Sequence, residues 1–377
     1  MKKILSSFIR KRNDKYYVYV EYIDEVGKKK QKSQGSYANK KDADKKLIEV
    51  KNSINLDSFI IPQNITFVER FKKYNLDRKN TLSENTFYSR EVMLKKHIKP
   101  YWGDTKLCDI TISSYQNFIN KIYSSDYSDS TKKAICKTAN TVLKECYRCR
   151  EIKTPITDFV KIPKFKKPEE VSVYSIEEIK LILKEAKNRN NPGLEIAINL
   201  FVFGGLRRGE TLGLTWDCVD FDNNRIKIEN NLQYIAGKGL VMTDTKTTSS
   251  NREISLPVSV MDLMKKERIR QNKLKLKSML HKKYDTVVID RKGDCYTTTS
   301  FQGVYQTLIK KTGLEYKKIH ALRHSNVSIL IANGIDVKTI SERLGHSSID
   351  ITLQTYTHAF KEKDRHVSNR LDELLGQ

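Results

Sequence analysis

The run Lys161-Ile162-Pro163-Lys164-Phe165-Lys166-Lys167-Pro168 sets the strongest limit on how this chain can fold. Proline fixes φ, lacks the N–H that a helix or a central strand needs, and disfavours helical backbone in the residue before it. Two prolines among lysines therefore break any core element, and residues 162–172 read as a linker whose charges suit phosphate contact. The chain on either side must bury its apolar side chains separately, and 377 residues are enough for two or three domains.

Before the linker the hydrophobic period changes once. Tyr16 to Ile23 alternates as a half-buried strand does, Glu25-Val26-Gly27 turns the chain back, Lys28 to Ser33 continues as polar strand, and a helix is expected over about Asn39–Asn52. Residues 1–57 thus read as a three-stranded sheet plus a helix, basic because 15 Lys and Arg face 8 Asp and Glu. A sheet or ribbon of that charge fits the major groove of DNA, which is wide enough to admit it. From Thr66 the spacing becomes helical: Phe67, Val68, Phe71 and Tyr74 share a face, and further helices are expected from Thr86 through Leu94, over Ile112–Ile122 and over Thr131–Cys149. Residues 64–161 therefore predict a module of four or five helices.

Residues 173–377 mix both patterns. Ser175 with Glu178 three positions on forms a capping box ahead of Ile179, Leu181, Ile182 and Leu183, and Leu194 to Phe203 is apolar enough to be a core helix. Arg225 to Ile228 and Arg252 to Leu256 alternate like strands of one small sheet with Lys246 in the turn between, and Lys265–Lys283 reads as a basic helix. The expected class is multidomain, mainly α with small β-sheets, an α+β chain ending in a mixed α/β domain.

Three motifs in that last domain carry chemistry. Gly205-Leu206-Arg207-Arg208-Gly209-Glu210 precedes His320-Ala321-Leu322-Arg323 by about a hundred residues, and Leu344-Gly345-His346 and Tyr356 follow. Attack on a phosphodiester puts charge on the non-bridging oxygens, which a planar, permanent guanidinium binds bidentately, so Arg207 and Arg323 suit the phosphate. His320 suits general acid/base work, and His346 either that or a hydrogen bond to the phosphate. Tyr356 offers a hydroxyl nucleophile that must lose a proton as it attacks. His320 and Arg323 share one face of a helix over Lys318–Asn333, a second helix starts at Asp336 and stops at Gly345, and a third from Ile349 to about His358 would carry Tyr356. His324 falls to a structural role beside His320.

In order and separation these motifs resemble the tyrosine recombinase (phage-type integrase) family, across roughly the last half of the chain. The resemblance implies that Arg207 and Arg323 bind the scissile phosphate, that His320 and His346 are the catalytic pair, and that Tyr356 forms a 3′-phosphotyrosine link. It also implies a lysine on a β-hairpin that protonates the leaving 5′-oxygen, and Lys246 in Thr245-Lys246-Thr247 matches that pattern. Gly204 departs from the threonine common in relatives and leaves the arginine's role untouched. By the same resemblance, residues 1–57 form an arm-type DNA-binding domain, 64–161 a helical core-binding domain that clamps DNA, and 173–377 the catalytic domain with a C-terminal tail helix. A homotetramer on double-stranded DNA follows, with core and arm sites. An excisionase and a host DNA-bending protein are candidate accessory partners. Neither cofactor nor metal is called for. Val367, Leu371, Leu374 and Leu375 recur at helical spacing in the tail, which docks either on a neighbouring subunit or on its own domain.

Net charge agrees with a polyanionic partner: 70 Lys and Arg against 45 Asp and Glu leave +25. The chain carries no apolar run of membrane-spanning length, and Ser6, Ser7, Arg10, Lys11 and Arg12 interrupt any secretory signal after Met1-Lys2-Lys3. A soluble, cytoplasmic, nucleoid-associated bacterial protein is expected. The six cysteines do not form a disulfide framework, and Cys146-x-x-Cys149 lacks the second pair that a zinc site needs. Two other readings stay open at this point: a catalytically silent DNA-binding relative of the fold, and a type IB topoisomerase with the same chemistry.

Overall fold

A computed structural model describes residues 3–24, 26–56, 59–60, 64–163, 172–235, 237–244, 251–346, 348–349 and 353. Two compact units, Met1–Lys166 and Lys167–Gln377, divide the chain.

The first unit opens with an antiparallel sheet, β1 (Lys3–Arg12), β2 (Lys15–Ile23) and β3 (Lys29–Tyr37), in that order, followed by α1 (Lys40–Asn55). Alternation gives the sheet two faces. Val18 and Val20 point to α1 and are sealed by Ala43 and Val50. On the opposite face Phe8 stacks on Tyr19 with ring centroids 5.9 Å apart, and the Arg10 guanidinium lies over both rings. The helical part follows: α2 (Phe67–Asp77), α3 (Glu84–Met93), α4 (Lys99–Trp102), α5 (Ile112–Tyr123), α6 (Asp129–Arg148) and α7 (Ile156–Phe159). Capping boxes at Thr66 and Thr111 start α2 and α5. The expected second helix does not stop near Leu94. It widens into a π turn over Leu94–Ile98 and runs on into α4, which lets Leu94, Ile98 and Trp102 all reach the core. Trp102 is the centre of that core, 4.3 Å from the Phe118 ring and 5.1 Å from Phe67, centroid to centroid.

The second unit is built round α9 (Pro192–Gly204), buried on nearly every side among α8 (Ile176–Asn188), α11 (Val258–Leu276), α12 (Thr298–Thr312) and α13 (His320–Ala332). The Ser175 capping box opens α8 as the sequence implies. Short α10 (Arg208–Gly213) and α14 (Val337–Leu344) are further helices of the described residues, and β4 (Val219–Asp220), β5 (Arg225–Ile228) and β8 (Arg252–Ser255) pair in the order β4-β5-β8.

Two expectations for this unit need correction. The two strands of the small sheet are not joined by a simple turn, because the hairpin β6 (Asn230–Ile235) and β7 (Gly239–Asp244) lies between them and packs on α10. The basic helix expected over Lys265–Lys283 instead spans Val258–Leu276, set by Pro257 at its start and by Ser278, at φ 54°, just past its end. All six cysteines are free. Among the described residues no helix is long and apolar enough to cross a membrane.

Candidate active site

Two helix ends make the frame. Helix α9 stops because Gly205 takes the left-handed conformation (φ 62°), its N–H reaching back to the Phe201 carbonyl at 3.2 Å. A Cβ there would stand 2.8 Å from Asn326 Oδ1 and 3.0 Å from Leu344 Cδ2, so the turn is shaped by packing as well as by φ. The chain then caps α10 with Arg207, whose N–H donates to Glu210 Oε2 at 2.9 Å. Helix α14 stops at Gly345 (φ 64°), where the Gly345 N–H donates to Glu342 O and the His346 N–H to Ser341 O, both at 3.1 Å. This is the paired bonding of a Schellman end.

Both ends turn their carbonyls on two arginines. Arg323, 5% exposed, donates from Nη1 to Gly205 O (2.7 Å) and from Nη2 to Leu344 O (2.9 Å), and the same Nη2 lies 3.0 Å from His346 Nε2. Arg207, half-buried, donates from Nη2 to Gly345 O (3.0 Å) and from Nη1 to Glu210 Oε1 (2.7 Å). A guanidinium can only donate, so His346 Nε2 accepts, and we assign the ring proton to Nδ1. His320 stands three positions before Arg323 on α13, exposed to solvent on one side and crowded by protein on the other. Its neighbour His324 is half-buried, with the two ring centroids 6.5 Å apart.

The charges around these rings decide their protonation. Burial, and after it the guanidiniums of Arg323, Arg207 and Arg252, push His346 down to about 4. His320 is lowered in the same way, by desolvation of its inner side and then by Arg323, Arg208 and Arg207. Both imidazoles are therefore neutral near pH 7, able to take a proton. Glu210 goes the other way. Burial alone would raise its pKa, but hydrogen bonds and charge from Arg252 and Arg207 outweigh that and hold it at about 2. The site thus presents guanidiniums and neutral imidazoles held ready for an anion.

Of the six residues expected from the sequence, Arg323 and His346 meet in a direct hydrogen bond, Arg207 is brought beside them through the Gly345 carbonyl next to His346, and His320 joins them from the start of α13. Lys246 and Tyr356 lie outside the described residues, as do the expected helix around Tyr356 and the C-terminal tail. Two further members had no role in the sequence reading. Glu210 could have been found, since an acid three residues after a helix-capping position is the capping-box pattern. Arg252 gives no such local signal, because its partner lies 42 positions away.

Residues 173–363 match the Phage integrase family, 66–123 the N-terminal SAM-like domain of phage integrases, and 8–54 the Arm DNA-binding domain. A tyrosine recombinase XerC-like protein of Caldanaerobacter subterraneus subsp. tengcongensis is 29% identical over 328 residues, covering 81% of this chain and 78% of that one. The ICEBs1 integrase of Bacillus subtilis is 26% identical over 302 residues, 77% of this chain and 78% of its own. Among solved structures, the Tn1549 transposon integrase in complex with a circular intermediate DNA superposes with a TM-score of 0.70 at 20% identity, over 81% of this chain and 99% of that one. A lambda integrase dimer bound to a core site gives 0.55 at 18% identity, over 93% of each chain. At these identities the superpositions speak for a shared fold.

Proposed function

This chain belongs to the phage integrase family, and from that membership we propose a site-specific DNA recombinase that integrates and excises a mobile element. It cuts and rejoins strands through a 3′-phosphotyrosine intermediate. Arg207 and Arg323 bind the non-bridging oxygens of the scissile phosphate, the His346 ring donates a hydrogen bond to it, and His320 accepts the proton that Tyr356 loses. The Tyr356 oxygen attacks phosphorus in line, the bond from phosphorus to the 5′-oxygen breaks, and Lys246 protonates that leaving oxygen. The phosphotyrosine replaces one phosphodiester by another, so the 5′-hydroxyl of a partner strand reverses the step and releases Tyr356. The observation that carries this reading is the meeting of Arg207, Arg323 and His346 at two glycine-ended helices.

The remaining assignments rest on the family and on charge. Residues 1–57 grip arm sites, 64–161 bind the core site, 162–172 link, and 173–377 catalyse. The net charge of +25 supports binding to double-stranded DNA, with the protein working as a homotetramer in the bacterial cytoplasm, at the nucleoid. An excisionase and a host DNA-bending protein are its proposed accessory partners. The lambda integrase tetramer solved on a Holliday junction has the same fold, with a TM-score of 0.53 at 18% identity.

The test is covalent. Wild-type protein and Tyr356→Phe are mixed, without magnesium, with a supercoiled plasmid carrying the joined ends of the element beside this gene. A DNA adduct mapped to Tyr356 by peptide mass spectrometry, and absent from the variant, is the expected outcome. Tight DNA binding with no adduct on any intact or nicked substrate would leave a DNA-binding protein without the nucleophile.

A further inference from the structure

We propose that Arg252 is a positioning residue for strand cleavage: it occupies one side of the Glu210 carboxylate and so keeps Arg207 available to the scissile phosphate. This inference rests on the recombinase reading above and assigns a role to a side chain outside the six site residues.

The geometry is specific. Arg252 opens β8, and its side chain is 7% exposed. Its Nη2 lies 2.9 Å from Glu210 Oε2 and its Nη1 3.3 Å from Oε1, while Nε donates to the Arg343 carbonyl at 2.7 Å. Each carboxylate oxygen of Glu210 thus takes two donors: Oε1 from the Nη1 atoms of Arg207 and Arg252, Oε2 from the Arg207 N–H and Arg252 Nη2. A carboxylate offers about four lone-pair sites, so this one is fully occupied. With Arg252 gone, the buried acid would have one guanidinium left. It would draw Arg207 into a bidentate pair and cancel the charge the phosphate needs, because a buried carboxylate cannot stay half-paired at low cost. The second contact works on the opposite wall. Arg343 lies in the last turn of α14, and the next two carbonyls, of Leu344 and Gly345, are those that orient Arg323 and Arg207. Arg252 therefore ties the acid behind Arg207 to the helix end that aims both arginines and carries His346.

The test separates charge neutralisation from mere folding. Arg252→Met removes the fork and keeps most of the side-chain length. The full-length variant is compared with wild type in thermal melting, in gel-shift binding of a core-site duplex, and in the rate of adduct formation on two suicide substrates. One carries a normal scissile phosphodiester; the other carries a methylphosphonate there, which lacks one charged non-bridging oxygen and so needs less from Arg207. The expected result is DNA binding near wild type and a roughly hundredfold slower adduct on the phosphodiester, the scale of a small misplacement in a catalytic group. On the methylphosphonate the gap narrows to about tenfold or less, because less charge remains to be stabilised. Equal loss on both substrates, or no loss on either, overturns the proposal. If Arg252→Met does not melt cooperatively, Arg252→Gln, which keeps a hydrogen-bond donor without the charge, is put through the same comparison and judged by the same two outcomes. If wild type itself forms no adduct on either substrate, the recombinase reading fails and this inference falls with it.

Discussion

Replacing Glu210 by glutamine tests the electrostatics of the site through stability. Glu210 is 3% exposed and accepts from two arginines, which hold its pKa at about 2 against an ordinary 4.5. At about 1.4 kcal/mol for each tenfold change in proton affinity, that difference couples roughly 3 kcal/mol to folding. The figure agrees with the ~3–5 kcal/mol lost when one partner of a buried ion pair is removed. The sign follows from the direction: the folded pKa lies below the unfolded one, so the stabilisation is whole above pH 4.5 and drains away as pH falls towards 2. Glu210→Gln should therefore cost about 3 kcal/mol at pH 7 and progressively less below about pH 4.5, as protonation brings wild type to the same uncharged state. The chain has two tryptophans, Trp102 in the first unit and Trp216 in the second. Urea unfolding followed by selectively excited tryptophan fluorescence in a Trp102→Phe background leaves Trp216 as the only tryptophan, in the unit that holds Glu210. A loss that stays constant from pH 7 to pH 3 would mean that packing, not charge, holds the site, and a loss under about 1 kcal/mol would mean that the pair is solvated in solution.

Two more predictions follow from the same geometry. In the free protein the His346 ring should titrate near 4, and binding of DNA should raise that value, since a phosphate anion offsets Arg323, Arg207 and Arg252; imidazole carbon-bound proton shifts, assigned with His346→Asn, check it, and a free-state titration near 6.5 would contradict it. Gly205→Ala should destabilise the second unit by about 2 kcal/mol or more, from left-handed backbone at φ 62° together with contact on Asn326 Oδ1, and a change under about 0.5 kcal/mol in the same fluorescence assay would refute it.

Local signals carried most of what was legible beforehand. The Ser175–Glu178 box, the Asp336 cap and the glycine stop at Gly345 are read within four or five residues, and each marks a real boundary. Helix α12 and the β6–β7 hairpin were not anticipated, although Phe301, Tyr305, Leu308 and Ile309 recur at helical spacing and Gly237 and Gly239 punctuate the hairpin turn. The start of α11 was hidden for a physical reason. Its buried face turns from Val260, Met261 and Met264 to Glu267 and Gln271, so no apolar stripe runs its length. Those polar groups are tolerated because Arg270 pairs with Glu267 and the Trp216 indole N–H donates to Gln271. Long-range partners such as Arg252 and Glu210 leave no trace in spacing at all.

Helix-end carbonyls, with one shared carboxylate, orient the two arginines proposed to bind phosphate, and this has an electrostatic consequence. Arg323 and Arg207 repel one another, and something must hold them together before DNA arrives. The last carbonyls of a helix carry partial negative charge and are short of partners, so each helix end favours a cation without supplying a full opposing charge. Gly205, Leu344 and Gly345 provide three such carbonyls. Were the same positions filled by acids, the pair would be held as well, but its charge would be spent before the substrate came. Among the described residues, Glu210 is the one buried acid bonded to Arg207, and it is shared with Arg252. Of these four charged groups, three are cationic and one anionic, and the balance stays positive. Burial and, after it, the positive charge of the neighbouring arginines depress both His320 and His346 in the free protein, and that charge is what an incoming phosphate would neutralise. In the proposed mechanism, binding and the readiness of the imidazoles to hold a proton are thereby coupled: the phosphate that the arginines attract is also the charge that raises the affinity of His320 for the proton Tyr356 would lose.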